Sequence, residues 1–146
     1  GFTPGSTTHA SCHVVDILPT ILEATGSSYQ HEVGGHEIQP QQGESLLELF
    51  QGKEWEREQP IFWEHEGNAA IRLGRFKLVR LHDQPWELYD MEADRTELNN
   101  LAGRHLEFER ELIAQYQAWA MQVGVMNWKD ALPKLLAAWD METVDG

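Results

Sequence analysis

The sequence predicts an α+β domain: a four-stranded antiparallel sheet with a long C-terminal helix packed on one face, plus an N-terminal helix. Three observations carry this. Pro60 to Met91 holds four short apolar runs, IFW, AAIRL, FKLVRL and WELY, separated by the turn chemistries EGN, LGR and HDQP. Phe108, Leu112, Tyr116, Trp119, Ala120 and Val123 then recur at spacings of three and four, with Glu107, Arg110, Glu111 and Gln117 between them. Finally, 146 residues at 41% apolar content suit one modest globular core rather than a disordered chain.

The turn at Gly74-Arg75, with Gly first, suits a type II′ hairpin and sets the register. Leu73 then faces Phe76 and Ile71 faces Leu78 on one side, while Ala70 faces Val79 and Arg72 faces Lys77 on the other. Apolar residues fall on both sides, with Ile61, Trp63, Trp86 and Leu88 read against Phe62 and Tyr89. A sheet with one wet face alternates more cleanly, so a layer is expected on each side. Arg72 opposite Lys77 sets like charges together and calls for an acidic neighbour. Glu64 and Glu87 are the candidates, with an anionic ligand as the alternative.

The remaining elements follow in chain order. Residues 1–12 read as a loop or extended arm. Asp16 is placed to cap a helix with Pro19 in its first turn and Gly26 as its stop. Val14, Ile17, Leu18, Ile21 and Leu22 wrap that helix in apolar groups, which implies burial within this domain or against something larger. Residues 27–44 read as a surface loop, and Ser45 with Glu48 as a capping box for a short helix ended by Gly52. The KEWEREQ run and the acidic region from Glu32 to Glu66 read as solvated. Thr96 to Ala102 suggests a turn of helix, Leu106 to Val123 the long helix stopped by Gly124, and Pro133 the start of a further short helix before a frayed end. The resulting plan has three parts: 1–52 (arm, helix and loop), 53–128 (sheet and long helix) and 129–146 (tail).

Composition narrows the partners. A net charge of −13 argues against nucleic acid and against an anionic membrane surface. No apolar run approaches the roughly 20 residues of a membrane span, and no signal peptide opens the chain. Cys12, the single cysteine, allows no internal disulfide and leaves the compartment open.

WEHEGNAAIRLGRFKLVRL followed by PWELYDMEADRTELNNLA resembles the C-terminal part of the type I, arylsulfatase-like sulfatases. Family features are matched by His65, Gly67 and Asn68, by the AIR-x-G-x-x-KLV run with Phe76 in place of Trp, and by Asp90, Asp94, Glu97, Asn99 or Asn100, Leu101 and Ala102. His13 to Gly26 resembles the helix near the end of the family's large domain. The resemblance implies a formylglycine nucleophile, made from Cys or Ser in C/S-x-P-x-R, and a Ca²⁺ site in that large domain, before the point where this chain begins. Cys12 is followed by HVVD, without the Pro or the Arg, so it is not that nucleophile. No cofactor or metal is therefore expected in this chain, and no catalytic residue.

Other chemistries are thinly supported. Ser11, His13 and Asp16 can be read as a triad, but triads are defined by geometry and an oxyanion hole rather than by closeness in sequence. The pairs His9/His13 and His31/His36 come with no carboxylate or thiolate set at ligand spacing. The resemblance does imply a substrate-facing role for His65 and Asn68, at a turn beside the active-site mouth. The alternative is that Asn68 and Gly67 only shape the turn while His65 ends a strand. Two functions are then expected: completion of a sulfatase substrate pocket by a part inactive alone, or a stand-alone non-catalytic module. The expected partner is the large domain or a second copy of this chain in a homodimer. The family is often periplasmic or secreted, and this chain's own compartment is left undetermined.

Overall fold

A computed structural model describes residues 5–142. The residues up to Ile61 form one compact unit, and those from Phe62 onward form a second.

In the first unit an extended segment leads into a 3-10 turn, Val14–Asp16, and helix α1, Ile17–Thr25. Gly26 closes α1 in the left-handed conformation, as its sequence position predicts. Asp16 does not cap α1: its backbone is already helical and its side chain makes no cap bond there. It is instead fully buried as the anion of an ion pair with Arg57. Oδ2 also accepts the His13 N–H at 2.6 Å, and Oδ1 the Glu44 N–H at 3.0 Å. Arg57 donates its Nε–H to the Ser11 carbonyl at 2.8 Å, so the charged run is not wholly solvated. A charge taken out of water needs this degree of satisfaction. The surroundings are tight, since a Cβ on Gly43 would lie 2.5 Å from the Val15 carbonyl oxygen and 2.8 Å from Asp16 Oδ1.

The rest of this unit departs from expectation in two places. The supposed loop 27–44 contains a small hairpin, β1 (Glu32–Val33) and β2 (His36–Glu37), turning at Gly34-Gly35. Helix α2, Leu47–Phe50, forms without the reciprocal capping box. Ser45 Oγ accepts the Leu47 N–H at 3.2 Å, whereas Glu48 pairs with Lys53 at 2.8 Å. The Leu46 N–H is taken by Thr20 Oγ1 at 2.9 Å, and that hydroxyl donates to the Asp16 carbonyl at 2.6 Å.

The sheet runs β3 (Ile61–His65), β4 (Asn68–Leu73), β5 (Phe76–Arg80) and β6 (Glu87–Asp90), in sequence order. The β4–β5 register is the expected one at all four pairs that the turn fixes. Gly74 has φ +55°, and Arg75 does not share the positive φ, as a type II′ turn requires. The Arg75 guanidinium pairs with Asp90, and Arg75 holds the Asp90 carboxyl below the usual carboxylate range.

The long helix α3, Leu106–Val123, has the predicted bounds and packs on β4 and β5. Ile71, Leu78, Leu88 and Leu112 are fully buried in one cluster with Ala69 and Tyr116. Phe62, Trp86 and Trp119 pack around it. Phe62 therefore shares the helix-side face with Trp86 and Leu88. By strand alternation Trp63 lies with Tyr89 on the other face, which reverses the grouping read from sequence. Lys77 takes its acidic partner from beyond the strands, Glu97 at 2.6 Å. Glu64 and Glu87 instead accept from the Gly67 N–H and the Tyr89 hydroxyl.

Two further elements differ from expectation. The segment Thr96–Ala102 is not helical, because Asp94 Oδ2 accepts both the Leu98 and Asn99 N–H groups and holds a turn. Asn100 Oδ1 accepts the Leu88 N–H at 3.1 Å, and the Leu101 N–H donates to the Leu88 carbonyl at 2.8 Å. This segment thus satisfies the outer edge of β6. Helix α4 is Trp128–Glu142, with Pro133 inside it rather than at its start. Asn127 begins the helix: its Oδ1 accepts the Lys129 N–H, and its carbonyl the Asp130 and Ala131 N–H groups. The chain end read as frayed, and the first four residues of the arm, lie outside the described residues.

Two outcomes follow. Leu112→Ala should destabilise the second unit by roughly 2–5 kcal/mol, against a total of about 5–15 kcal/mol. An unchanged urea midpoint would show that α3 packs by another face. The second concerns acid. Burial pushes the Asp16 carboxyl up, but the Arg57 hydrogen bond, with the Glu44 and His13 N–H groups, outweighs burial and holds it below its ordinary value. A depressed carboxylate stabilises fully above its unfolded pKa of about 3.9 and loses that stabilisation as pH falls through the lower folded value. Asp16→Asn should therefore be less stable at neutral pH and should lose less stability than wild type on acidification below about pH 4. Parallel pH–stability curves for the two proteins would contradict this.

Candidate functional site

The second unit presents its concentration of polar groups where β3 turns into β4. Glu66 and Gly67 both have positive φ, +54° and +83°, so His65–Asn68 is a two-residue hairpin of type I′ geometry. The glycine is required by close approach as well. A Cβ there would lie 2.6 Å from His82 Nδ1 and 2.8 Å from Trp128 Cβ.

Asn68 has both ends of its amide in use. Nδ2 donates to the His65 carbonyl at 2.8 Å, closing the turn. Oδ1 accepts the His82 N–H at 3.0 Å, tying the turn to the β5–β6 loop. Glu64 Oε1 accepts the Gly67 N–H at 2.9 Å and adds a third brace. His65 is exposed. It rims a shallow recess of about 180 Å³ beside the β3–β4 turn, lined by Trp63, Asn68, Ala70, Val79, Arg80 and Leu81. The wall is mostly apolar, with an imidazole at its edge that can donate and accept a hydrogen bond.

The sequence brings His65 and Asn68 together, but not their connections to His82 and Trp128. Those contacts run between the β3–β4 turn, the β5–β6 loop and the start of α4, and no spacing along the chain reports them. Ser11, His13 and Asp16 do not form a triad. His13 Nδ1 faces the Val15 N–H at 3.5 Å, and the Asp16 carboxylate is engaged by Arg57. Among the described residues no group of three or more His, Cys, Asp or Glu side chains could hold a metal ion. No helix of the described residues is long and apolar enough to cross a membrane.

No protein-family model matches the chain. Individual proteins do. An uncharacterized sulfatase of Schizosaccharomyces pombe is 33% identical over 124 residues, which is 80% of this chain and 22% of that protein. An N-acetylglucosamine-6-O-sulfatase of Bacteroides thetaiotaomicron is 31% identical over 68% of the chain and 19% of its own length. A choline-sulfatase of Rhizobium meliloti is 35% identical over 60% of the chain and 17% of its own length. The chain thus spans about a fifth of the curated relatives it matches. Among solved structures, Ps i-CgsB in complex with a neocarrahexaose superposes with a TM-score of 0.58 at 20% identity, over 73% of this chain and 24% of that one. A Bacteroides thetaiotaomicron 6S-sulfatase from a glycosaminoglycan-metabolism locus superposes with a TM-score of 0.59 at 24% identity, with the same coverage. These superpositions establish the fold. With the sequence matches and the motifs from His65 to Ala102, they show that the chain belongs to the sulfatases and corresponds to their C-terminal part.

Proposed function

We propose that this chain is the C-terminal subdomain of a sulfuric-ester hydrolase and closes one side of its substrate pocket. The observation that carries the reading is the sulfatase likeness over 60–80% of the chain, confined to about a fifth of each relative. The parent reaction is hydrolysis of a sulfate monoester to an alcohol or phenol plus sulfate. Two relatives are named for different esters, an N-acetylglucosamine-6-O-sulfate and a choline sulfate, so the reading stays at that class.

In this reading His65 contacts the leaving-group side of the substrate from the rim of the recess, and Trp63 offers it an apolar wall. Asn68 acts through His65: with both amide ends in use it fixes the turn from which the imidazole projects. The chain contains no C/S-x-P-x-R segment, and no group of three or more His, Cys, Asp or Glu side chains among its described residues could hold a metal ion. The nucleophile and Ca²⁺ belong to the partner domain, and this chain alone is inactive.

A second reading rests on the 3-10 turn and helix α1, where Val14 of the turn is 69% exposed and Ile17 and Ile21 of the helix are 56% and 53% exposed. An apolar helix face of this kind marks an interaction surface. Its occupant is the sulfatase large domain or, in a stand-alone non-catalytic module, a second copy of this chain in a two-fold dimer. Sedimentation separates these, because the module must run as a dimer whereas a single species of one 16.7 kDa chain excludes it.

Purified on its own, the chain should not turn over an aryl sulfate with or without added Ca²⁺; turnover abolished by a point mutation in it would refute the reading. Joined to its large domain, His65→Ala should lower kcat/KM by about tenfold or more, the size expected for one lost polar contact to the reacting substrate, with stability unchanged. Asn68→Ala should cost about 1–3 kcal/mol of stability, since it strands the His82 N–H and the His65 carbonyl. Unchanged kcat/KM in both variants would remove the site from the substrate pocket.

A further inference from the structure

The first unit holds two metal-ligating side chains that the proposed function does not use. In the β1–β2 hairpin Gly34 and Gly35 have φ +62° and +82°, a two-residue turn that fixes the strand register. Val33 then faces His36 and Glu32 faces Glu37. The Ile38 N–H donates to the His31 carbonyl at 3.0 Å, which carries the ladder one residue further. Side chains alternate between faces along each strand. His31, Val33, His36 and Ile38 therefore share one face, and Glu32 and Glu37 share the other. His31 sits one row from His36 across the strands, a diagonal of about 7–8 Å that long or aromatic side chains can span.

Both imidazoles are available as ligands. His31 and His36 are exposed, and among the described residues neither uses a ring nitrogen in a hydrogen bond or ion pair. Tyr29 steadies His31 from one side by an edge-on ring contact at 5.5 Å, its hydroxyl donating to the Gln39 carbonyl at 2.5 Å.

The electrostatics of the hairpin favour a cation. Residues 1–61 carry two basic and nine acidic side chains, a net charge of −7. Glu32 directly opposite Glu37 sets like charges together, which weakens the pairing, and a lone two-stranded ribbon is barely stable in water. A dication held by one ligand from each side of the turn offsets that repulsion and clips the strands. Imidazole nitrogen suits Zn²⁺, Ni²⁺ and Cu²⁺, whereas Ca²⁺ and Mg²⁺ call for oxygen.

We propose that the β1–β2 hairpin is a two-histidine chelate for a divalent transition-metal ion, with His31 and His36 as ligands and water in the remaining positions. Glu32 and Glu37, on the opposite face, attract the ion without ligating it. With only two protein ligands the ion is exchangeable. The site belongs to the first unit and does not involve His65.

The test is a calorimetric titration of the full chain with NiCl₂ at neutral pH in a non-coordinating buffer, with the histidine NMR signals followed in parallel. One Ni²⁺ per chain should bind, and its paramagnetism should broaden the His31 and His36 signals first. His31→Ala and His36→Ala should each weaken binding about tenfold or more, because either leaves one imidazole without a second ligand at high local concentration. His9→Ala should change nothing. Gly34→Pro keeps both imidazoles, but proline cannot hold φ +62°, so it should lose the chelate to a similar extent. Ni²⁺ at ten times its Kd should also slow exchange of the Ile38 amide about tenfold, and should not do so in His36→Ala. Several equal weak sites, with each substitution lowering the number of ions bound but not the affinity, would reveal independent surface imidazoles and overturn the proposal. So would wild-type affinity in Gly34→Pro, or broadening confined to His9 and His13. None of these results depends on sulfatase activity, so this site and the pocket role of His65 fail independently.

Discussion

The register of the β4–β5 hairpin governs the second unit. One residue of slip would send Ile71 and Leu78 to the opposite face and present Arg72 and Lys77 to α3. Three devices prevent it. Gly74 supplies the left-handed turn position, the Arg75–Asp90 ion pair ties the turn to β6, and the Met91 N–H donates to the Arg75 carbonyl at 2.7 Å. With the register set, the buried residues of β4, β5 and β6 meet Leu112 and Tyr116 from α3. The same alternation places Trp63, Ala70 and Val79 together around the recess that His65 edges.

The first unit is organised by a buried charge rather than by an apolar core. Asp16 draws the 3-10 turn, the Glu44 backbone and the Arg57 side chain to one point. Removing either partner would leave the other charged, buried and unpaired, which costs far more than an exposed pair is worth. The lone cysteine lies beside this pair. Burial, and then the Asp16 charge, push the Cys12 thiol up, which disfavours its reactive thiolate.

What was legible in the sequence had a short range. The strands, the turn at Gly74, the bounds of α3 and the stops at Gly26 and Gly124 depend on periodicity and on residues with special backbone freedom. What was not legible depended on side chains meeting across long intervals. Asp16 has the composition of a cap and the neighbours of an ion pair, and Arg57 is 41 residues away. Lys77 finds Glu97 because Asp94 folds the following segment into a turn rather than a helix. At the candidate site, the HEGN stretch named the turn. That Asn68 spends both amide ends on it, and that His82 and Trp128 close against Gly67, required the fold.

Three acidic residues, Glu66, Asp83 and Glu97, hold left-handed backbone that glycine or asparagine adopts with less strain. Two have side-chain compensation, Asp83 through Lys129 and Glu97 through Lys77. Glu66 is exposed, at the tip of the β3–β4 turn, and has no such bond among the described residues. For protein engineering, this marks it as a point of latent stability. A type I′ turn prefers Asn-Gly, and the chain keeps Glu-Gly at a thermodynamic loss. Natural sequences are held above a stability threshold rather than at an optimum, and the unrelieved strain at Glu66 is a local instance of that slack.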